Sequence, residues 1–159
     1  MTITACGYHN PYVYNGPSKS VYITDWKNNT SELGLTTQMY MALVRWFQKS
    51  GSITVTKDKS KADLILAGEF ISIHFPGRSF TANGMVIETK MYLHVRYILK
   101  EISTGKVLME VPDQLFTADC AVSTNSVESK TYQQEALTNI TEEMAQKIYQ
   151  RSLVELPKL

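Results

Sequence analysis

The chain has 159 residues, a net charge of +1, 43% hydrophobic and 19% charged residues, which suits one globular domain with its own core. A charge so near zero supplies no broad field for nucleic acid, so any anion site must be a local cluster. Apolar runs such as residues 62–75 are broken by Asp63, Glu69 and His74, and none reaches the roughly 18 residues of a membrane-crossing helix.

Met1 to Ala5 lead into Cys6. A cysteine so near a terminus can be a disulfide half, a metal ligand, a stray thiol or a processing site. Two cysteines, Cys6 and Cys120, and three histidines match no zinc spacing, and a chain of this size does not need a disulfide for stability. Residues 6–19, with two prolines and two glycines, read as an irregular tether. The β-branched and aromatic alternation of SVYITDW predicts a strand over 20–26. Turn residues follow, with Thr30 or Ser31 as the expected helix cap. Leu35, Met39, Leu43, Trp46 and Phe47 recur at helical spacing, and Ser50-Gly51 supplies the stop.

Further on, SITVT (52–56) is a short strand and LILAGEFISIHF (64–75) a long one, buried in part on both faces. Pro76-Gly77 ends it, and residues 76–84, which include Arg78, are expected to form a loop. Residues 85–100 keep period two without a break. Met85, Ile87, Thr89, Met91, Leu93, Val95, Tyr97 and Leu99 take one face. Val86, Glu88, Lys90, Tyr92, His94, Arg96, Ile98 and Lys100 take the other. STGK (103–106) is a hairpin turn, and 107–118 is a strand whose Pro112 demands an edge or a bulge. After a loop at 119–128, Leu137, Ile140, Met144 and Ile148 mark a helix over 129–153. Its acidic residues stand early and its basic residues late, as the helix dipole favours.

These elements predict an α+β fold. It is a two-layer α/β sandwich with a roughly four-stranded mixed sheet, in the order β-α-β-β-β-α. Both helices cover one face of the sheet and leave the other open. The domain is expected to span residues 20–159, and the even-numbered residues of 85–100 to lie on the open face.

No nucleophile elbow, P-loop, dinucleotide fingerprint or metalloprotease motif occurs. His74 and His94 can meet across neighbouring strands, but two surface histidines are the simpler reading and no metal or other cofactor is expected. Asp63, Glu69 and Glu88 show no acid/base spacing, so no catalytic residue is assigned and the chain is not expected to be an enzyme. Lys90, Tyr92, His94 and Arg96 form a basic and aromatic ladder whose members stand about 7 Å apart. That spacing lets cations meet several phosphates of one large ligand, with Tyr92 adding flat contact. An ordinary solvated sheet face is an equal reading of the same pattern. Lys90 and Arg96 are the expected main contacts, helped by Arg78.

Several stretches, in order, carry a resemblance. ITAC, residues 3–6, resembles a lipobox, and CGYHN resembles the mature start of the outer-membrane lipopolysaccharide-assembly lipoproteins, the LptE-like family. ITDWKNNTSELGLTTQMYMALVRWFQKSG is similar to that family's first strand, turn and first helix. KADLILAGEF and VRYILKEISTGKVL are similar to its middle strands and hairpin, and YQQEALTNITEEMAQKIYQRSL to its last helix. The resemblance implies lipidation at Cys6, with Met1 to Ala5 as a signal-peptide remnant. It implies anchoring in the inner leaflet of the outer membrane, on the periplasmic side. It also implies an LptD-like β-barrel partner that the protein plugs, and lipopolysaccharide as ligand. A different periplasmic lipoprotein of similar fold, in another envelope or secretion complex, is the alternative. With Cys6 lipidated, Cys120 becomes a buried small hydrophobe; a Cys6–Cys120 disulfide is the rival.

Overall fold

A computed structural model describes residues 14, 16–51, 53–80, 82–83 and 86–156, with the backbone alone at 77–80, 86 and 87. In chain order the elements are β1 (Lys19–Ile23), β2 (Lys27–Asn28), α1 (Leu35–Gln48), β3 (Ile53–Thr56), β4 (Leu64–His74), β5 (Gly77–Phe80), β6 (Val86–Glu101), β7 (Val107–Ala121) and α2 (Ser126–Glu155).

The long strand β6 is the spine of the sheet. β4 and then β5 run antiparallel along one of its sides, and β7 runs antiparallel along the other. β1 lies parallel between β3 and β4, and β2 prolongs β1 along β4. Among the described residues seven strand segments therefore fill five positions, in the spatial order β3-β1-β4-β6-β7. The expected two-layer α+β fold with a mixed sheet is borne out, with more strand segments than the four expected.

Strand parity decides the layers. Thr89, Met91, Leu93, Val95, Tyr97 and Leu99 are all buried, whereas Glu88, Lys90, Tyr92, His94, Arg96, Ile98 and Lys100 are partly or fully exposed. Both helices press on the odd-numbered side. α1 buries Leu35, Met39, Leu43 and Phe47, and α2 buries Leu137, Ile140, Met144 and Ile148, the stripes expected from helical spacing. Tyr149 meets Phe47 edge-on at 5.4 Å and Trp46 at 5.9 Å, which locks the two helices together. Glu142 of α2 accepts from the Trp46 indole N–H at 2.8 Å and pairs with Arg45. Thr141 and Ser152 are buried but donate to the carbonyls of Leu137 and Ile148, so their hydroxyls are satisfied. Cys120 is buried against this core with a free thiol, and burial raises its pKa.

Pro112 shows why a proline survives here. Among the described residues β7 pairs only with β6, and the ladder slips between Val95/Gln114 and Tyr97/Val111, so the proline sits in a bulge of an edge strand.

Four local expectations are corrected. Residues 77–80 form β5 rather than part of a loop, because they continue β4 along the first residues of β6. β7 reaches Ala121 and α2 begins at Ser126, capped by Asn125, whose side chain accepts from the Val127 N–H. Thr30 does not cap α1. Its hydroxyl accepts from the Glu32 N–H and donates to Asn28, folding a turn, while Gly34 in the left-handed region (φ 83°) opens the helix. The last turn of α2 carries no basic residue, although Glu128 stands in its first turn as the dipole favours. Cys6 and residues 1–5 lie outside the described residues; within the expected tether, Tyr14 is buried in the core.

Candidate functional site

The even-numbered side chains of β6 share the open face with those directly opposite on β4 and β7. Lys90 faces Asp119, Tyr92 lies between His74 and Thr117, and Arg96 faces Glu69. A bulge at Ile71, between Phe70 and Ser72, shifts strand parity by one and brings His74 onto the same face as His94. The two imidazole centroids are 6.2 Å apart. Among the described residues no group of three metal-ligating side chains occurs.

Each basic side chain of the ladder meets a carboxylate. Lys90 Nζ is 3.5 Å from Asp119 Oδ1, and His94 Nδ1 is 2.9 Å from Asp113 Oδ1. Arg96 Nε donates to Glu69 Oε2 at 2.6 Å. Glu69 also accepts from Asn29 Nδ2 at 2.5 Å and lies 3.5 Å from Lys27 Nζ. The carboxylate is thus buried between two cations and an amide, and the Arg96 guanidinium above all holds its pKa below the usual 4.5. The Arg78 side chain falls outside the described residues, and only its place in β5, beside the start of β6, is described.

Sequence parity therefore finds the members of the face but not its charge balance. Asp119 reaches Lys90 only because of two register shifts. Counting from the Lys100/Val107 pair, an unbroken ladder would set Thr117 opposite Lys90. Apolar groups share the surface: Leu115 opposite His94 and Val107 opposite Lys100 are both exposed. Ala67 and Ile98 form the floor of a hollow of 270 Å³, with Lys27, Glu69, Arg96 and Pro112 among its walls. The face can hold an amphiphile that brings both an anionic group and an apolar one. An incoming phosphate has to compete with a carboxylate for each cation.

Glu69, Glu101 and Asp63 all have pKa values lowered by partners of the native state: Arg96; Thr104 with Lys19; and the Ser20 backbone and hydroxyl. A carboxyl group with a lowered folded-state pKa stabilises the fold above its unfolded pKa, and loses that contribution as pH falls through the folded value. The thermal midpoint is therefore expected to drop progressively below pH 4.5, the ordinary glutamate value. In Glu69→Gln the drop should be shallower. Parallel midpoint-versus-pH curves for the two proteins would show that Glu69 plays no part.

The fold is shared with known lipoproteins. The solution structure of an uncharacterized lipoprotein B from Nitrosomonas europaea is similar with a TM-score of 0.59 at 17% identity, over 94% of this chain and 89% of that one. The rare lipoprotein B from Shewanella oneidensis gives 0.59 at 12% identity, over 85% and 94%. A PelC dodecamer from Paraburkholderia phytofirmans gives 0.52 at 11%, over 86% and 89%. At these identities the likeness shows the fold alone. No curated protein matches the chain in sequence. The family model described as "LptE: Lipopolysaccharide-assembly" matches residues 18–152, from just before β1 almost to the end of α2. With the family's profile running through every strand and helix of the sandwich, the chain belongs to the LptE lipopolysaccharide-assembly family.

Proposed function

We propose that this protein is an outer-membrane lipoprotein, lipidated at Cys6 and held on the periplasmic side, that plugs an LptD-like β-barrel translocon and binds lipopolysaccharide for its insertion into the outer leaflet. The role is assembly, not catalysis. The family match over residues 18–152 carries this reading. The open face of β6 supports it, because it sets Lys90, Tyr92, His94 and Arg96 in a row beside exposed Leu115 and the Ala67–Ile98 hollow. Arg78 belongs to this reading as a helper from the adjoining β5.

The carboxylate partners sharpen the test. Removing Lys90 and Arg96 deletes two charge-assisted contacts and also leaves Asp119 and Glu69 facing the ligand's phosphates. Lys90→Ala with Arg96→Ala is expected to weaken lipopolysaccharide binding at least a hundredfold, at about tenfold per contact, while the far-ultraviolet circular dichroism stays native. Unchanged affinity would move the site off this face. A second reading is a periplasmic lipoprotein of another envelope or secretion complex with the same sandwich, a fold that the PelC dodecamer shows is not confined to one family name. Depletion separates the two, since only the proposed role predicts loss of surface lipopolysaccharide.

A further inference from the structure

A second cationic site lies in the helical layer, where the C-terminal third of α2 crosses β7. Lys147 and Arg151 stand one helical turn apart and, with Tyr97, Gln114, Gln150 and Val154, line an open hollow of 330 Å³. Sequence periodicity places these two cations off the core stripe of α2, as ordinary solvated residues.

The surroundings hold both cations in position. The Lys147 ammonium lies 5.2 Å from the centroid of the Phe116 ring and donates to Glu143 at 2.6 Å, which occupies one of its three N–H bonds. The Arg151 guanidinium lies beside the Tyr97 hydroxyl. Tyr97 itself is only 3% exposed, and its O–H donates to Gln114 Oε1 at 2.6 Å. That bond fixes the Gln114 carbonyl inward and leaves its amide NH₂ as a donor. The hollow thus gathers an ammonium, a guanidinium fork and amide N–H groups around one space. Neither cation lies in the last turn of α2, where the helix dipole acts. The dipole does not account for a buried tyrosine hydroxyl and an oriented glutamine beneath them.

We infer that this hollow binds a phosphate group, at a site separate from the open face of β6. A guanidinium fork beside a second cation suits a multi-oxygen anion better than a single carboxylate, which Lys147 already has in Glu143. The phosphate can be a free ion or part of a lipid headgroup.

Titrating inorganic phosphate into the isotope-labelled full chain, followed by nuclear magnetic resonance, tests the site. Saturable shifts are expected at the Gln114 and Gln150 side-chain amides and at Arg151 Nε–H. Lys147→Gln and Arg151→Gln are each expected to weaken binding roughly tenfold, and the pair to abolish it. Both side chains are exposed, so the variants should fold. Lys90→Gln with Arg96→Gln is expected to leave these shifts unchanged. A second arm measures retention on phosphatidylglycerol vesicles against phosphatidylcholine ones. Retention that depends on Lys147 and Arg151 assigns the phosphate to a headgroup, and binding of phosphate without retention assigns it to the free ion. Shifts that do not saturate, or that survive in Lys147→Gln/Arg151→Gln, overturn the proposal.

Discussion

Gly68→Ala is expected to destabilise the fold by about 2–3 kcal/mol, which lowers the thermal midpoint by roughly 5–10 °C in a domain of this size. A Cβ on Gly68 would stand 2.5 Å from Cε2 and Cζ2 of Trp26. The indole lies flat on the Gly68 backbone, only 5% exposed. It is held 5.2 Å from the Phe70 ring and stacked at 6.4 Å and 20° on Tyr97. A ring wedged in this way cannot swing aside as the end of a flexible side chain can, so the cluster itself has to shift. The backbone term runs the other way, since glycine inside a strand costs about 0.5–1 kcal/mol relative to alanine. The collision must exceed that gain. Trp26→Ala alone should cost about 3–5 kcal/mol. The double variant separates a collision from a backbone effect. If Trp26 is what the new methyl strikes, Gly68→Ala adds little or nothing in a Trp26→Ala background, because the cavity admits it. Fully additive losses in denaturant unfolding would place the cost elsewhere.

The same pair shows what was legible in the sequence. Trp26 and Gly68 are 42 positions apart, and no spacing rule links them. They meet because β2 prolongs β1 along β4, a pairing of only two residues. Long, regular signals carried through. Period two over β6 assigned every described side chain of residues 89–100 to its face, and the helical stripes of α1 and α2 named the core. Segments held by their neighbours were not legible. GRSF at 77–80 has no alternation and follows Pro76, yet it is a strand because the first residues of β6 offer it a ladder, with Thr89 fixing Pro76 by a 2.6 Å hydrogen bond. The ladder Lys90, Tyr92, His94 and Arg96 was legible as a row on one face. Its acidic counterparts were not: bulges at Pro112 and beside Lys100 set where Asp113 and Asp119 stand, and Glu69 meets Arg96 through the β4–β6 register, which no spacing in the sequence gives. A one-residue slip changes a side chain's neighbour entirely, and bulges leave little trace in composition.

Expressed behind a lipoprotein signal peptide in cells lacking the barrel partner, the protein is expected to sediment with membranes, and Cys6→Ser to move into the soluble fraction completely. No helix among the described residues is long and apolar enough to cross a membrane. An anchor and surface contact are the two routes that Cys6→Ser compares. The energies of these two routes differ widely. Each buried methylene contributes about 0.8 kcal/mol, so one acyl chain holds only marginally while several on one cysteine hold essentially without release. The exposed large apolar side chains of the described surface, Leu33, Met41, Val127 and Val154 among them besides Leu115 and Val107, belong to different elements rather than to one acyl-like patch. Hence the expected change is all-or-none rather than partial. Mass spectrometry of the mature protein should find the lipid on Cys6 itself. Cys6→Ser protein that remains in the membrane pellet without the barrel, also with Lys147→Gln and Arg151→Gln added to remove headgroup contact, would refute lipid anchoring. A lipid on Cys6 would also set a geometric limit. Tyr14 is fixed in the core, and the eight residue steps from Cys6 to Tyr14 span at most about 28 Å fully extended. On the proposed function, the sandwich would then stay within that reach of the membrane that holds the lipid, close enough to enter a barrel lumen in the same membrane.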